Sequence, residues 1–168
     1  MSDGGSVPGI RIGQGYDVHA FSDDPARPLV IGGVEFPGAP GLAGHSDADV
    51  LAHAVTDALL GAAGLGDIGQ HFPDTDARWA GADSIELLTS AVADVRAAGW
   101  SPQNVDCTVV LESPKLAPHR SAMEERLSSA VGAPVTVKGK RAEGLGALGR
   151  HEGIACLAVA LVTRSTAT

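Results

Sequence analysis

Aromatic residues are almost missing from this chain. Three Phe, two Trp and one Tyr make up 4% of it, so no core of stacked rings is available and packing must rest on Ala, Val, Leu and Gly, side chains that suit close approach of helix to sheet. Cysteine is scarce as well. Cys107 and Cys156 each sit in an apolar run, which reads as two buried free thiols in a reducing compartment and excludes a disulfide framework. Positive charge is outnumbered: 12 Lys and Arg face 20 Asp and Glu, for a formal charge of -8. That balance argues against nucleic acid as a general partner, and any phosphate ester must be neutralised locally by a metal ion or a few placed cations. No stretch is long and apolar enough to span a bilayer, and no apolar segment follows a basic N-terminal region, so a soluble, cytoplasmic protein is expected. The 168 residues allow one domain, expected over 10–163, between a disordered lead of residues 1–9 and a short tail of residues 164–168.

What the chain does have is a dense stretch of potential ligands from His45 to Asp76, HSDADVLAHAVTDALLGAAGLGDIGQHFPDTD. Asp49, His53 and Asp57 recur at four-residue spacing, which on a helix makes one polar stripe, with Val50, Leu51, Ala54, Val55, Ala58, Leu59 and Leu60 opposite. Ser46 or Asp47 can cap the first turn and Gly61 with Gly64 can end the last, so the helix is expected from about 47 to about 62. His45 would stand just outside its positive end, where free amides favour an anion such as phosphate. Asp57 is expected to partner His53 from one turn along.

Upstream, IRIGQGYDVHAF reads as a strand beginning at Ile10, with Gly13 and Gly15 marking a bulge or a close neighbouring backbone. Asp17 and His19, two apart, share a face of that strand. A carboxylate and an imidazole aimed at one point begin a zinc site, although the same tripeptide also occurs as a surface strand end; joined by His53 it turns toward metal. Residues 29–36 suit a small hairpin around Gly32 and Gly33. The acidic segment after the central helix reads as a long irregular loop. A second helix is expected from Asp83 or Ser84 to Gly99, a strand over 104–111 with Val105, Cys107, Val109 and Leu111 inward, a third helix from Pro118 to Val131, and a strand from Val135. The final strand, 152–162, is apolar on both faces, as if covered twice. Between the last two strands, KGKRAEGLGALGR combines cations with glycines, whose amides can cradle phosphate.

Four of these blocks together, GYDVHAF at 15–21, the 45–76 stretch, SPK at 113–115 and EGLGALGR at 143–150, make the chain resemble the 2-C-methyl-D-erythritol 2,4-cyclodiphosphate synthases of the non-mevalonate isoprenoid pathway, in the stand-alone form without a fused cytidylyltransferase domain. The resemblance implies an α+β subunit, a four-stranded mixed sheet with helices on one face, and a homotrimer whose sheets face inward. It implies a phosphorus–oxygen lyase that turns 4-diphosphocytidyl-2-C-methyl-D-erythritol 2-phosphate into the 2,4-cyclodiphosphate and CMP. Zinc would be held by Asp17, His19 and His53, and a second cation, magnesium or manganese, by Glu143. His45 would stabilise the transition state. Substrate would meet Ser46, Asp67, Ile68 and Gly69, and then the loop Phe72, Pro73, Asp74, Thr75 and Asp76. Cytosine would be received by the loop around Pro114 and Lys115, and phosphate by the stretch Lys140, Arg141, Ala142 and Glu143. Arg150 would face an axial cavity able to hold an isoprenoid diphosphate.

One departure concerns chemistry. The family commonly has K-A-T-T-T-E where Lys138 to Glu143 read K-G-K-R-A-E, so a phosphate-binding threonine becomes Arg141 here; position 147 is Ala where Phe is frequent. A non-catalytic, zinc-dependent binder of cytidine nucleotides or prenyl diphosphates is therefore the alternative function.

Overall fold

A computed structural model describes residues 9–164. The lead of residues 1–9 and the tail of residues 164–168 fall outside it except for their innermost members, which are joined by a hydrogen bond from the Arg164 N–H to the Gly9 carbonyl at 2.8 Å. Strand β1 (Ile10–Ala20) opens the chain, and a small hairpin, β2 (Val30–Ile31) and β3 (Val34–Glu35), follows. Gly32 and Gly33 have φ of 60° and 71°, the two consecutive left-handed residues that a tight hairpin turn with the strand's own twist requires. Helix α1 (Val50–Ala63), the short α2 (Ile68–His71) and α3 (Ser84–Ala97) lead to β4 (Trp100–Val110). The chain then runs through α4 (Arg120–Val131), β5 (Val135–Lys140), the one-turn α5 (Gly146–Gly149) and β6 (Gly153–Arg164).

The main sheet has the order β1-β6-β4-β5, with β4 and β5 parallel and the other pairs antiparallel. It is the mixed four-stranded α+β sheet that the resemblance implied. Helices pack on one face only, over Cys107, Val109, Cys156, Ala158, Ala160 and Val162, all buried. Burial pushes the Cys107 thiol up to about 12 and raises Cys156 as well, so both are the inert thiols expected. The opposite face is bare: Ile12 is 70% exposed, Ile10 60% and Val159 47%.

Several boundaries move, for identifiable reasons. Helix α1 starts at Val50 and not near residue 47, because Asp49 is its cap and accepts from the Leu51 and Ala52 amides at 3.1 and 3.0 Å. Asp49 therefore leaves the expected polar stripe; its carboxylate is fully buried and also accepts from the Gly32 and Gly33 amides at 2.8 and 2.6 Å. The end falls at Ala63, with Gly64 left-handed at φ 75° as expected, whereas Gly61 lies inside the helix and is not left-handed. Strand β4 begins four residues early and includes Pro102. There β5 has not yet started, so one side of β4 is an edge that can spare an N–H. The supposedly irregular loop after α1 contains α2 and a single 3-10 turn at Ala77–Trp79, capped by Asp67 and Asp76. The third helix proper begins at Arg120, behind a 3-10 turn at Ala117–His119.

Candidate metal and phosphate site

The alternation of β1 turns Gly13, Gly15, Asp17 and His19 toward α1. Both glycines are needed for the helix to lie so near: a Cβ built at Gly15 would stand 1.9 Å from the Ala54 carbonyl oxygen, and one at Gly13 2.0 Å from that of Ala58. This close approach brings His53, one turn inside α1, onto the two residues of β1. Asp17 Oδ2 lies 3.0 Å from His19 Nε2 and 3.0 Å from His53 Nδ1, and the two ring nitrogens are 3.3 Å apart. These separations approach the edge of a tetrahedron around zinc, roughly 3.3 Å for bonds of about 2.0 to 2.1 Å. Among the described residues this is the one group of three or more metal-capable side chains.

The protonation pattern also suits a cation. His19 Nδ1 donates to the Ala43 carbonyl at 2.7 Å, and because a carbonyl only accepts, Nε2 is left to offer its lone pair to the shared point. Burial by itself would raise the Asp17 carboxyl, yet when the His19 and His53 imidazoles carry protons toward it their hydrogen bonds and charge hold it well below the usual carboxylate range, as a cation at the same point would. Burial likewise works to lower His19, but the hydrogen bond and charge of Asp17 outweigh it and the net shift is upward. A carboxylate this strongly held anionic, with two imidazoles around it, is a site built for positive charge.

Around the triad opens a cleft of about 420 Å³ that His45, Ser46, Ile68, Gly69, Phe72 and Asp74 also line. His45 Nε2 meets the Asp76 carbonyl oxygen at 3.1 Å. The Asp76 carboxylate is turned away to Arg78, which draws its pKa down. Asp67 caps α2, accepting from the Gln70 amide at 3.0 Å. Pro73 and Thr75 belong to the same loop between α2 and the 3-10 turn. Pro114, Lys115, Lys140 and Arg141 line a different recess, of about 190 Å³, beside Glu112. Ala142, Glu143 and Arg150 lie beyond it; Glu143 is left-handed at φ 53°, and Arg150 Nε donates to Glu152 at 2.7 Å.

Two expectations are corrected. Asp57 does not partner His53; its Oδ1 accepts from the Ile68 amide at 2.7 Å and so anchors the first residue of α2 at the cleft. Nor is the N-terminus of α1 an anion site beside His45, because Asp49 occupies its first-turn amides. Instead, His53 Nε2 faces the Ser84 and Ser46 hydroxyls at 2.9 and 3.1 Å. Ser84 had no spacing signal, lying 31 residues away on another helix. Trp79 and Leu87, which complete the apolar wall of the cleft, were missed for the same reason.

Residues 10–163 match the sequence pattern of the YgbB family. The chain belongs to the YgbB family. A 2-C-methyl-D-erythritol 2,4-cyclodiphosphate synthase of Bordetella petrii is 60% identical over 164 residues, covering 96% of this chain and 99% of the relative. That of Chromobacterium violaceum is 57% identical over 159 residues, covering 93% and 99%. Among solved structures, a Plasmodium falciparum IspF in a CDP complex superposes with a TM-score of 0.81 at 33% identity, over 96% of this chain and 100% of that one. The bifunctional IspDF of Campylobacter jejuni gives a TM-score of 0.89 at 42% identity, over 95% of this chain but 43% of that one. Within the YgbB fold the triad joins the sheet's outer strand to its central helix, the junction that Gly13 and Gly15 make possible.

Proposed function

We propose that the chain converts 4-diphosphocytidyl-2-C-methyl-D-erythritol 2-phosphate into 2-C-methyl-D-erythritol 2,4-cyclodiphosphate and CMP, a phosphorus–oxygen lyase reaction in the cytoplasm. The observation that carries this reading is the convergence of Asp17, His19 and His53 on one point of an open cleft, in a YgbB chain. No helix among the described residues is long and apolar enough to cross a membrane.

The chemistry asks little of side-chain bases. An oxygen of the 2-phosphate, already anionic, forms a bond to the β-phosphorus while the bond from that phosphorus to the bridging oxygen breaks, and CMP leaves with the electron pair. Catalysis is then folding of the substrate into attack geometry together with charge stabilisation. Zinc on the triad, with magnesium or manganese as second cation near Glu143, supplies that neutralisation when bound. His45 stands at the cleft wall, where an imidazole N–H can reach an equatorial oxygen. Ile68 and Gly69 open α2, which Asp57 and Asp67 hold in place, and the 72–76 loop covers the erythritol part. Phosphorus NMR of the diphosphocytidyl substrate under controlled metal tests the reaction: the cyclic diphosphate and CMP are expected, whereas binding without CMP release would favour the non-catalytic binder.

Within one subunit the triad cleft and the Lys115–Arg141 recess are separate. In the proposed homotrimer a neighbour's recess completes each cleft, and the bare sheet face, with Ile10, Ile12, Tyr16, Val18, Leu157 and Val159 between 42% and 70% exposed, is covered. Light scattering is expected to give three times the 16.9 kDa subunit mass; a folded, active monomer at micromolar concentration would rule the trimer out. Arg150 belongs to the axial cavity of that trimer, where an isoprenoid diphosphate is the proposed occupant.

Arg141 lines the recess with Lys115 and Lys140. A guanidinium can give two parallel hydrogen bonds to phosphate oxygens where threonine gives one. Arg141→Ala is expected to lower kcat/KM by the equivalent of about 2 to 4 kcal/mol, the scale for one preorganised donor. Steady-state kinetics with kcat and KM both unchanged would remove Arg141 from the chemistry.

A further inference from the structure

Ser84, the first residue of α3, is 1% exposed, and its hydroxyl lies 2.9 Å from His53 Nε2. A serine hydroxyl has one proton to give. Here that proton is committed: Ser84 Oγ donates to Asp47 Oδ1 in a short hydrogen bond, and the other Asp47 oxygen accepts from the Ser84 backbone N–H at 3.2 Å. Both Asp47 oxygens face backbone N–H donors, Oδ1 that of Asp49 at 3.1 Å and Oδ2 that of Ser84, so the carboxylate is placed as an acceptor and the bond runs from the hydroxyl to it. Toward His53, then, Ser84 can only accept. His53 Nε2 must carry a proton, which leaves Nδ1 to present its lone pair to the point shared with Asp17 and His19. Ser46 Oγ, 3.1 Å from the same ring nitrogen and 3.4 Å from Ser84 Oγ, can give its own proton to Ser84 without disturbing this order.

We infer that Asp47 and Ser84 act as one positioning relay, which sets the tautomer and the ring orientation of His53 for metal binding although neither residue reaches the metal point. The backbone holds the relay from both sides. Asp47 N–H donates to the Ala82 carbonyl at 3.0 Å and Gly81 N–H to the His45 carbonyl at 2.8 Å, stapling the loop before α1 to the loop before α3. Ala48, left-handed at φ 58°, turns the chain between Asp47 and Asp49, so one carboxylate serves the relay while the next caps α1 and holds the hairpin. His19 has a simpler arrangement, a backbone carbonyl that cannot reverse its direction. His53 faces a hydroxyl, which could, and Asp47 removes that freedom.

The inference rests on the metal reading of the triad, and the test separates the two. Zinc dissociation constants would be measured by chelator competition for the wild type, Ser84→Ala, Asp47→Ala and the double variant. Each single variant is expected to bind zinc about 10 to 100 times more weakly. The double variant is expected to be no weaker than the weaker single, because both changes break the same relay. Nitrogen-15 NMR of the zinc-loaded wild type should show a proton on His53 Nε2 protected from exchange, and that protection should be lost in both singles. Asp83, not Ser84, caps α3, so Ser84→Ala keeps its helix start and decides the matter even if Asp47→Ala does not fold. Unchanged zinc affinity in Ser84→Ala, or penalties that add in full, overturns the relay while leaving the metal site standing. A wild type that takes up no zinc overturns both.

Discussion

Gly15→Ala is expected to cost about 3 kcal/mol of stability, the upper end of the range for overpacking a tight core. The new Cβ would stand 1.9 Å from the Ala54 carbonyl oxygen and 2.8 Å from the Ala58 amide nitrogen, both backbone atoms that no rotamer change can move aside. Helix α1 must therefore retreat by roughly 1 Å, since interiors packed at crystal density have no slack to absorb the methyl group. The retreat opens the distance between Asp17 on β1 and His53 on α1, which is 3.0 Å. Zinc affinity should fall together with stability. Urea unfolding compared with the wild type, and metal content at fixed free zinc, check the two halves; an unchanged midpoint would show that the helix can ride over a methyl group at no cost.

His53→Ala should remove bound zinc and activity together, with a fall in turnover of more than about a hundredfold, beyond what loss of an outer partner of a metal ligand produces. Only two protein ligands, Asp17 and His19, would remain, too few for a stable tetrahedral site. Stability should change far less than in Gly15→Ala, because the ring is partly exposed and its neighbours Ser46 and Ser84 can take water in its place. Elemental analysis of the purified variant is the measurement, and full zinc content would falsify the ligand assignment. The contrast between the two variants is informative in itself. One breaks the site by moving its walls, the other by removing a ligand while the walls stay put.

The candidate triad was legible in the sequence because its members sit in regular elements whose periods are fixed. Asp17 and His19, two apart on a strand, had to share a face, and His53 had to lie on a helix bounded by Gly64. The glycines of β1 allowed either a bulge or a close backbone, and the helix lying against them with an unbroken β1–β6 register shows it is the second. The alternation of β4 likewise gave its buried side, whereas β6, apolar on both faces and read as covered twice, has helices on one face only and leaves Leu157 and Val159 exposed on the other. Side-chain partners across elements were another matter. Asp57 has the spacing of a partner for His53, yet it bonds the Ile68 amide, because the chain after α1 folds back to set α2 against it. Asp49 has the spacing of a ligand, yet it points the other way and caps the helix, because the left-handed Ala48 reverses the chain just before it. The true partner of His53, Ser84, comes from the start of a helix 31 residues on, and its proton is directed by Asp47, 37 residues back. Local sequence determined which residues could become ligands, since the geometry of strand and helix is set by neighbours. The tertiary structure alone decided which hydrogen-bond partner each ligand received, because those contacts close loops of thirty or more residues whose paths no short-range pattern fixes.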